Sequence, residues 1–497
     1  MERLRRYAQF IGMEPALLCY MISSFIRWPV FQSFVYEKAC LDEYSGSNST
    51  IDCSNVSALR GDQRLHEYFN HVYLASSLAL MIPSMFAAAL LGSLCDAWRF
   101  KIPMLIPFVG LVISDLNYIL QALYMHWNPY WLILSDVIFG VCGGYISITS
   151  TIFSYSMRTT NFEYRSERVA ALEGSIGVGS AIGSFMSGYI RVAFGYTAVF
   201  ALITALNALA MLYIAIFARE IQATASLVEQ ESEENRLSKV LQGLGRRFRD
   251  VWRILSSDRS PLLRRLTVLT FLALAIELFS FSGVTDVLFS FMRGRFAWID
   301  KQYGLFNGIS SVFGCFNTLV IYPLCHKFFE VANSTLAMFG ILTKITFLIM
   351  LASARTEWIA YASALPMSFN RFVATGLRSI IGQLVQDDEQ GNFDCFRFRQ
   401  TNKSILFVGR AFSLIALTES LSAIFATTIF NGLYPKTLSF FDGTMFVATA
   451  VAITIPLMIL IFIHPKLRRI LHENDPVHRH RTISTEDNVD GTDGEVL

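Results

Sequence analysis

Charge is scarce in this chain. Only 16% of its 497 residues are Asp, Glu, Lys or Arg, 53% are hydrophobic, and mean hydropathy is +0.44. A soluble globule has roughly a quarter of its residues charged, so the deficit excludes that class. The basic residues sit at the ends of apolar stretches and form no continuous patch with interleaved aromatics, which excludes nucleic acid as a partner. Cysteine and histidine are equally sparse, eight of each. Cys19, Cys95, Cys142, Cys315, Cys325 and Cys395 lack metal-ligand spacing, and no His-x-Glu set or Gly-x-Ser-x-Gly turn occurs. No metal, cofactor or enzymatic activity is therefore expected. After the charged start Met1 to Arg6 there is no short apolar core with a small-residue cleavage site, so the first crossing itself is expected to direct insertion.

What the chain has is apolar length. A helix crossing a bilayer needs about 20 predominantly apolar residues. Such stretches fall at 13–34, 72–94, 102–124, 130–154, 169–191, 197–218, 266–291, 304–325, 335–354, 357–385, 409–432 and 441–463. The expected fold is an all-α membrane protein of twelve transmembrane helices in two six-helix halves. Its parts are an N-terminal half (1–218), a cytoplasmic linker (219–265), a C-terminal half (266–464) and a disordered cytoplasmic tail (465–497). Arg3, Arg5, Arg6, Arg99, Lys101, Arg158, Arg165, Arg168, Arg246, Arg247, Arg264, Lys327, Arg397, Arg399, Lys403, Lys466, Arg468 and Arg469 all fall on connections of one side. Both termini are thereby expected in the cytoplasm.

The long first outer connection carries sequons at Asn48 and Asn55 and the pair Cys40 and Cys53, in a compartment where glycans and disulfides form. Two further sequons, at Asn333 and Asn402, fall on the cytoplasmic side, and disulfide connectivity is not fixed by sequence. In the linker, Leu237, Leu241, Leu244, Phe248, Trp252 and Leu255 recur at helical spacing among Lys239, Arg246, Arg247, Arg249 and Arg253. That pattern predicts an amphipathic helix on the inner membrane surface, with a calmodulin-like partner as the alternative.

Ionisable groups inside hydrocarbon cost at least ~2.5–3.5 kcal/mol each, so each asks for a pathway or a partner. The candidates are Arg27, Asp115, Asp136, Glu173, Glu277, Asp286, Lys344, Arg371, Arg378 and Glu419. Arg27, Asp286, Lys344 and Arg191 read equally well as static ion pairs or span-end groups. Glu173 precedes Gly174, Gly177, Gly179 and Gly183, a small-residue run that lets a neighbouring helix approach, so it is expected to face protein. Asp136, ahead of Gly140, Gly143 and Gly144, reads either as a mobile carboxylate or as part of a hinge.

Between the second and third stretches, Gly92-Ser93-Leu94-Cys95-Asp96-Ala97-Trp98-Arg99-Phe100-Lys101 resembles the gating motif of the major facilitator superfamily, with Gly92, Asp96, Arg99 and Lys101 as its motif positions. The second-half copy near His326-Lys327 is eroded. Within that superfamily, three runs resemble the solute carrier family of the proton-coupled folate transporter and the thymic stromal cotransporter. They are Arg165-Ser166-Glu167-Arg168-Val169 leading to Leu172-Glu173-Gly174, then Leu377-Arg378-Ser379 with Asp388-Glu389-Gln390-Gly391, and Phe430-Asn431-Gly432-Leu433-Tyr434-Pro435. The resemblance implies proton-coupled import of organic anions such as folates, cyclic dinucleotides or muropeptides. By position it gives proton coupling to Glu173, the mobile carboxylate of the fourth span to Asp136 and the cationic group of the tenth span to Arg378. Among the other intramembrane charges, Glu277 and Glu419 are further candidates for proton coupling and Arg371 for anion binding. The chain departs from the folate carrier in having no membrane-embedded histidine in the seventh span, and 392–410 reads as an insertion.

The expected partners are a small organic anion, a proton and the lipid bilayer, with homo-oligomerisation left open. The alternative is a non-transporting membrane sensor or scaffold that keeps the fold. No acidic dileucine signal appears in the tails, so the plasma membrane is the default residence, ahead of the lysosome.

Overall fold

The computed structural model describes residues 12–44, 53, 59, 62–97, 100–160, 164–220, 261–390, 400–438 and 440–473. Regular structure among the described residues is all helical. Before residue 220 run α1 (Glu14–Tyr44), α2 (Gln63–Ala97), α3 (Lys101–Leu123), α4 (Leu132–Val141), α5 (Gly144–Thr159) and α6 (Arg165–Phe217). After residue 261 follow α7 (Pro261–Phe296), α8 (Asp300–Phe316), α9 (Tyr322–Phe328), α10 (Asn333–Ser353), α11 (Glu357–Ala362), α12 (Ala364–Met367), α13 (Arg371–Gln390), α14 (Gln400–Thr437), α15 (Thr444–Ala452) and α16 (Thr454–Glu473).

Glycine sets two of the breaks. Gly143 and Gly144 have φ of 113° and 60°, the left-handed region that side chains disfavour, and they divide one expected crossing into α4 and α5. Gly195, at φ 76°, kinks α6 between the crossings expected at 169–191 and 197–218. Eight described stretches are long and apolar enough to cross a membrane, and Arg168–Phe217, which holds both of those crossings, counts once among them. The helices over the crossings expected at 13–34, 357–385 and 409–432 are formed but are not among the eight. For α1 the reason is polar content, since Glu14, Arg27, Gln32, Glu37 and Lys38 interrupt it.

The core is joined at one end of the molecule and divided at the other. Near the Cys40–Cys53 disulfide, one apolar cluster takes side chains from both sets of helices: Phe34, Phe69 and Phe200 from before residue 220, Phe289, Trp298 and Phe446 from after residue 261. At the opposite end the cores are separate. One gathers Met13, Phe100, Ile152 and Ile214, the other Leu266, Ile341, Ile380 and Leu460. The two sets meet chiefly where α6 packs on α8 and α2 packs on α14.

Candidate functional site

At the divided end, five polar side chains from four helices come together. Tyr145 lies at the start of α5, just past the Gly143-Gly144 break, and its ring is 44% exposed. It lies within electrostatic reach of Glu173 on α6, Arg371 and Arg378 on α13, and Glu419 on α14. Groups that distant in sequence reach one tyrosine only if the two sets of helices face each other across a common space. Arg378 pairs with Glu419 at 3.1 Å, with 39% and 45% of the two side chains exposed. Glu173 is exposed as well. Arg371 and Arg378 are seven residues apart, two turns, and so share one face of α13. Behind Glu173, Gly177 packs on Cys315 of α8, while Gly179 and Gly183 pack on α1. The small-residue run thus buries one side of α6 and leaves the carboxylate on the other.

Of the remaining sequence candidates, Arg27, Asp115, Asp136, Glu277 and Lys344 lie within one bundle or the other. Asp115 is fully buried, 3.4 Å from Arg27, and accepts a 2.7 Å hydrogen bond from Asn207. Asp136, 6% exposed, accepts from Tyr118 at 2.7 Å and from Ser76, and Arg27 lies within electrostatic reach. Glu277 pairs with Lys344 at 2.7 Å, the two side chains 2% and 1% exposed. Of the four carboxylates considered for proton coupling, Glu173 and Glu419 are therefore the ones with exposed side chains, and both lie within electrostatic reach of Tyr145. Asp136 and Glu277 are enclosed with donors of their own.

At the disulfide end, polar groups hold the two sets of helices together. Arg191 of α6 contacts Glu37 of α1 and Asp300 of α8, both at 2.8 Å, and its guanidinium lies 4.5 Å from the Tyr196 ring centre. Arg293 of α7 donates to Ser33 at 3.2 Å and sits 4.3 Å over the Tyr36 ring. Lys38, where α1 runs beyond its expected crossing, donates to the carbonyls of Gln121, Tyr124 and Met125 at 3.4, 3.1 and 3.3 Å. Burial pushes its ammonium down to about 8. Tyr145, Asp300 and Arg293 were not among the sequence candidates. Only the glycine pair just before Tyr145 marked its neighbourhood, and the other two stand at helix ends, where charge is unremarkable.

Cys40 and Cys53 form a disulfide with Cα atoms 5.9 Å apart. Of the gating motif, Gly92 lies in α2 near the end of the expected second crossing and Lys101 opens α3. The Asp96 side chain and Arg99 lie outside the described residues, as do Asn48, Asn55, the predicted amphipathic helix at 237–255, residues 391–399 and the tail after 473. Among the described residues, no three His, Cys, Asp or Glu side chains gather as a metal site.

The family model of the Major Facilitator Superfamily matches residues 16–393. A lysosomal proton-coupled steroid conjugate and bile acid symporter of Gallus gallus is 23% identical over 460 residues, covering 90% of this chain and 92% of that protein. A probable peptidoglycan muropeptide transporter of Drosophila melanogaster is 22% identical over 492 residues, covering 95% and 89%. Among solved structures, a POT family transporter in complex with 5-aminolevulinic acid superposes with a TM-score of 0.60 at 14% identity, over 92% of this chain and 96% of that one. That likeness concerns the fold.

Proposed function

Because the chain belongs to the major facilitator superfamily, we propose that it is a proton-coupled symporter of an organic anion working by alternating access, with twelve crossings in two halves of six. The observation that carries this reading is the convergence of Glu173, Arg371, Arg378 and Glu419 around the exposed ring of Tyr145. Two cations and two carboxylates balance. A proton on either carboxylate leaves one positive charge in excess, which an anion neutralises, so each ligand favours the other where unpaired charge is costly. Arg378 takes the anionic group, with Arg371 two turns away on the same face, and Tyr145 offers a ring face to a flat or polycyclic framework. Glu173 binds the coupling proton, and Glu419 releases Arg378 when cargo arrives.

With the basic connections in the cytoplasm, the divided end faces inward and the conformation is open to the cytoplasm. Relatives named for steroid conjugates, bile acids and muropeptides point to amphipathic anions as cargo. The plasma-membrane expectation has no support in the lysosomal relatives, and an acidic organelle whose lumen supplies protons fits the charge argument better.

The test is uptake into proteoliposomes under an imposed pH gradient, with steroid conjugates, bile acids, muropeptides and folates offered in parallel. A one-proton symporter accumulates cargo up to about tenfold per pH unit, since one unit corresponds to about 1.4 kcal/mol. Glu173→Gln is expected to abolish that accumulation while cargo exchange across the membrane continues. An unchanged pH dependence in this variant removes Glu173 from the mechanism.

A further inference from the structure

We propose that Asp286 of α7 is a proton-binding site in the seam at the disulfide end, distinct from the coupling carboxylates, and that protonation from that side favours the closed seam. The proposal takes from the functional reading only the alternation of access.

Five described carboxylates are buried in this chain. Asp115 and Asp136 have Arg27, Glu277 has Lys344, and Asp300 has Arg191. Asp286, 2% exposed, has no cation in contact or within electrostatic reach among the described residues. Its neighbours are neutral and come from both sides of the seam. Thr427 and Asn431 of α14 donate to Oδ2 at 2.5 and 3.3 Å. From the other set of helices, Tyr73 of α2 donates to Oδ1 at 3.5 Å, and Gln32 of α1 donates to the Tyr73 hydroxyl at 3.2 Å.

The titratable groups facing it are Tyr73 from α2 and Tyr303 from α8. On its own helix, Glu277 is engaged with Lys344, and Arg293, two turns on, is turned to Ser33 and Tyr36. The cluster also holds two buried acceptors without a donor, Gln32 Oε1 and Asn431 Oδ1. The cluster thus has more acceptors than donors among the described residues, and a proton on Asp286 adds a donor hydrogen to it.

Burial of an ionised carboxylate without a cation is expensive, whereas the neutral acid is buried far more cheaply. When the seam opens, water reaches Asp286 and stabilises its anion. The closed seam therefore has the higher proton affinity, and by linkage acid shifts the equilibrium toward closure. The proton enters and leaves on the same side of the membrane. Asp286 thus reports the acidity of that compartment without carrying the transported proton.

The test reads the seam directly. Positions 127 and 358 are exposed at the disulfide end, one in each set of helices. Ketone-bearing residues there accept nitroxide labels without disturbing the cysteines, and electron–electron distances are measured on the full chain in nanodiscs from pH 7.5 to 5.5. In the wild type the closed-to-open ratio is expected to rise with acid, at most about tenfold per pH unit, the limit for one proton. Asp286→Asn, neutral and nearly isosteric, is expected to give the closed distance at both pH values. Tyr73→Phe removes a donor to the anion, so it lowers the closed population at pH 7.5 and keeps the acid response. An Asp286→Asn protein that follows pH as the wild type does, or stays open throughout, overturns the proposal. So does loss of the acid response in Tyr73→Phe. A chain that moves none of the anions offered but still closes with acid refutes the functional reading alone.

Discussion

The Glu277–Lys344 pair offers a sharp test of which intramembrane charges are structural. Glu277 Oε1 and Lys344 Nζ are 2.7 Å apart, both side chains are almost fully enclosed between α7 and α10, and Glu277 Oε2 has no hydrogen-bond donor. Removing one partner of such a pair leaves an uncompensated buried charge and costs about 3–5 kcal/mol, while replacing both by apolar side chains of similar volume is often neutral or stabilising. Lys344→Met is therefore expected to lose most of that amount in stability, and Glu277→Leu a comparable amount. The double variant Glu277→Leu with Lys344→Met should return to within about 1 kcal/mol of the wild type or exceed it. The assay is the unfolding midpoint of purified protein in one detergent, run as a full double-mutant cycle. Additive losses, with the double variant as damaged as the two singles together, would refute the pair as an energetic unit. Transport adds a second arm. Since the pair lies away from the open space, the double variant should keep acid-stimulated uptake, and a folded double variant without it would make Glu277 a coupling carboxylate after all.

The Arg378–Glu419 pair should behave in the opposite way. Both side chains are partly exposed, and exposed ion pairs contribute about 0–1 kcal/mol. Arg378→Ala is therefore expected to leave the unfolding midpoint nearly unchanged while anion uptake falls at least about tenfold, the equivalent of about 1.4 kcal/mol; a destabilised protein with normal transport would contradict the site. Cys40→Ser opens a loop of 13-residue separation, and chain entropy assigns such a cross-link about 3 kcal/mol. The expected result is a lower unfolding midpoint under oxidising conditions and no difference once the wild type is reduced.

The eight stretches long and apolar enough to cross a membrane were legible because hydrocarbon thickness imposes a length and apolarity that few other structures need. The Gly195 kink falls in the short gap between the stretches read at 169–191 and 197–218. The disposition of individual charges was not legible. Glu173 and Glu277 are both single carboxylates in apolar helices, yet one is exposed and the other is enclosed against a lysine. Hydropathy cannot separate them, because lipid and bundle interior are equally apolar and do not record helix rotation. Glu173 was distinguishable only through its glycines, which mark the packed side. Arg191 stands near a span end, where a long side chain can reach water. Its contacts with Asp300, 109 positions on, and with Glu37 depend on how the helices assemble.

The seam at the disulfide end sets what any opening motion costs. The Arg191–Glu37 pair is a weak restraint, since both side chains are partly exposed and such pairs contribute about 1 kcal/mol or less. The apolar part of the seam is stronger. Phe200, Phe289, Trp298, Tyr303 and Phe306 are all within 1% of full burial in the cluster shared by the two sets, and full exposure of one large apolar side chain costs about 1.5–3 kcal/mol. A ligand that moves a two-state equilibrium from 1:99 to 99:1 supplies about 5.5 kcal/mol of differential binding. Exposing even three of these rings would consume that amount. The motion that opens this end must therefore keep most of them covered. A close backbone approach between the two sets bears on how. A Cβ on Gly188 of α6 would lie 2.2 Å from the Asp300 carbonyl, and one on Gly304 of α8 would lie 3.0 Å from the Ser184 carbonyl. Backbones this close, with only the small Ser187 hydroxyl beside them, leave few side chains to displace when the helices turn against each other. A rocking about the α6–α8 contact, with little separation of the two sets, is the motion expected to meet that limit.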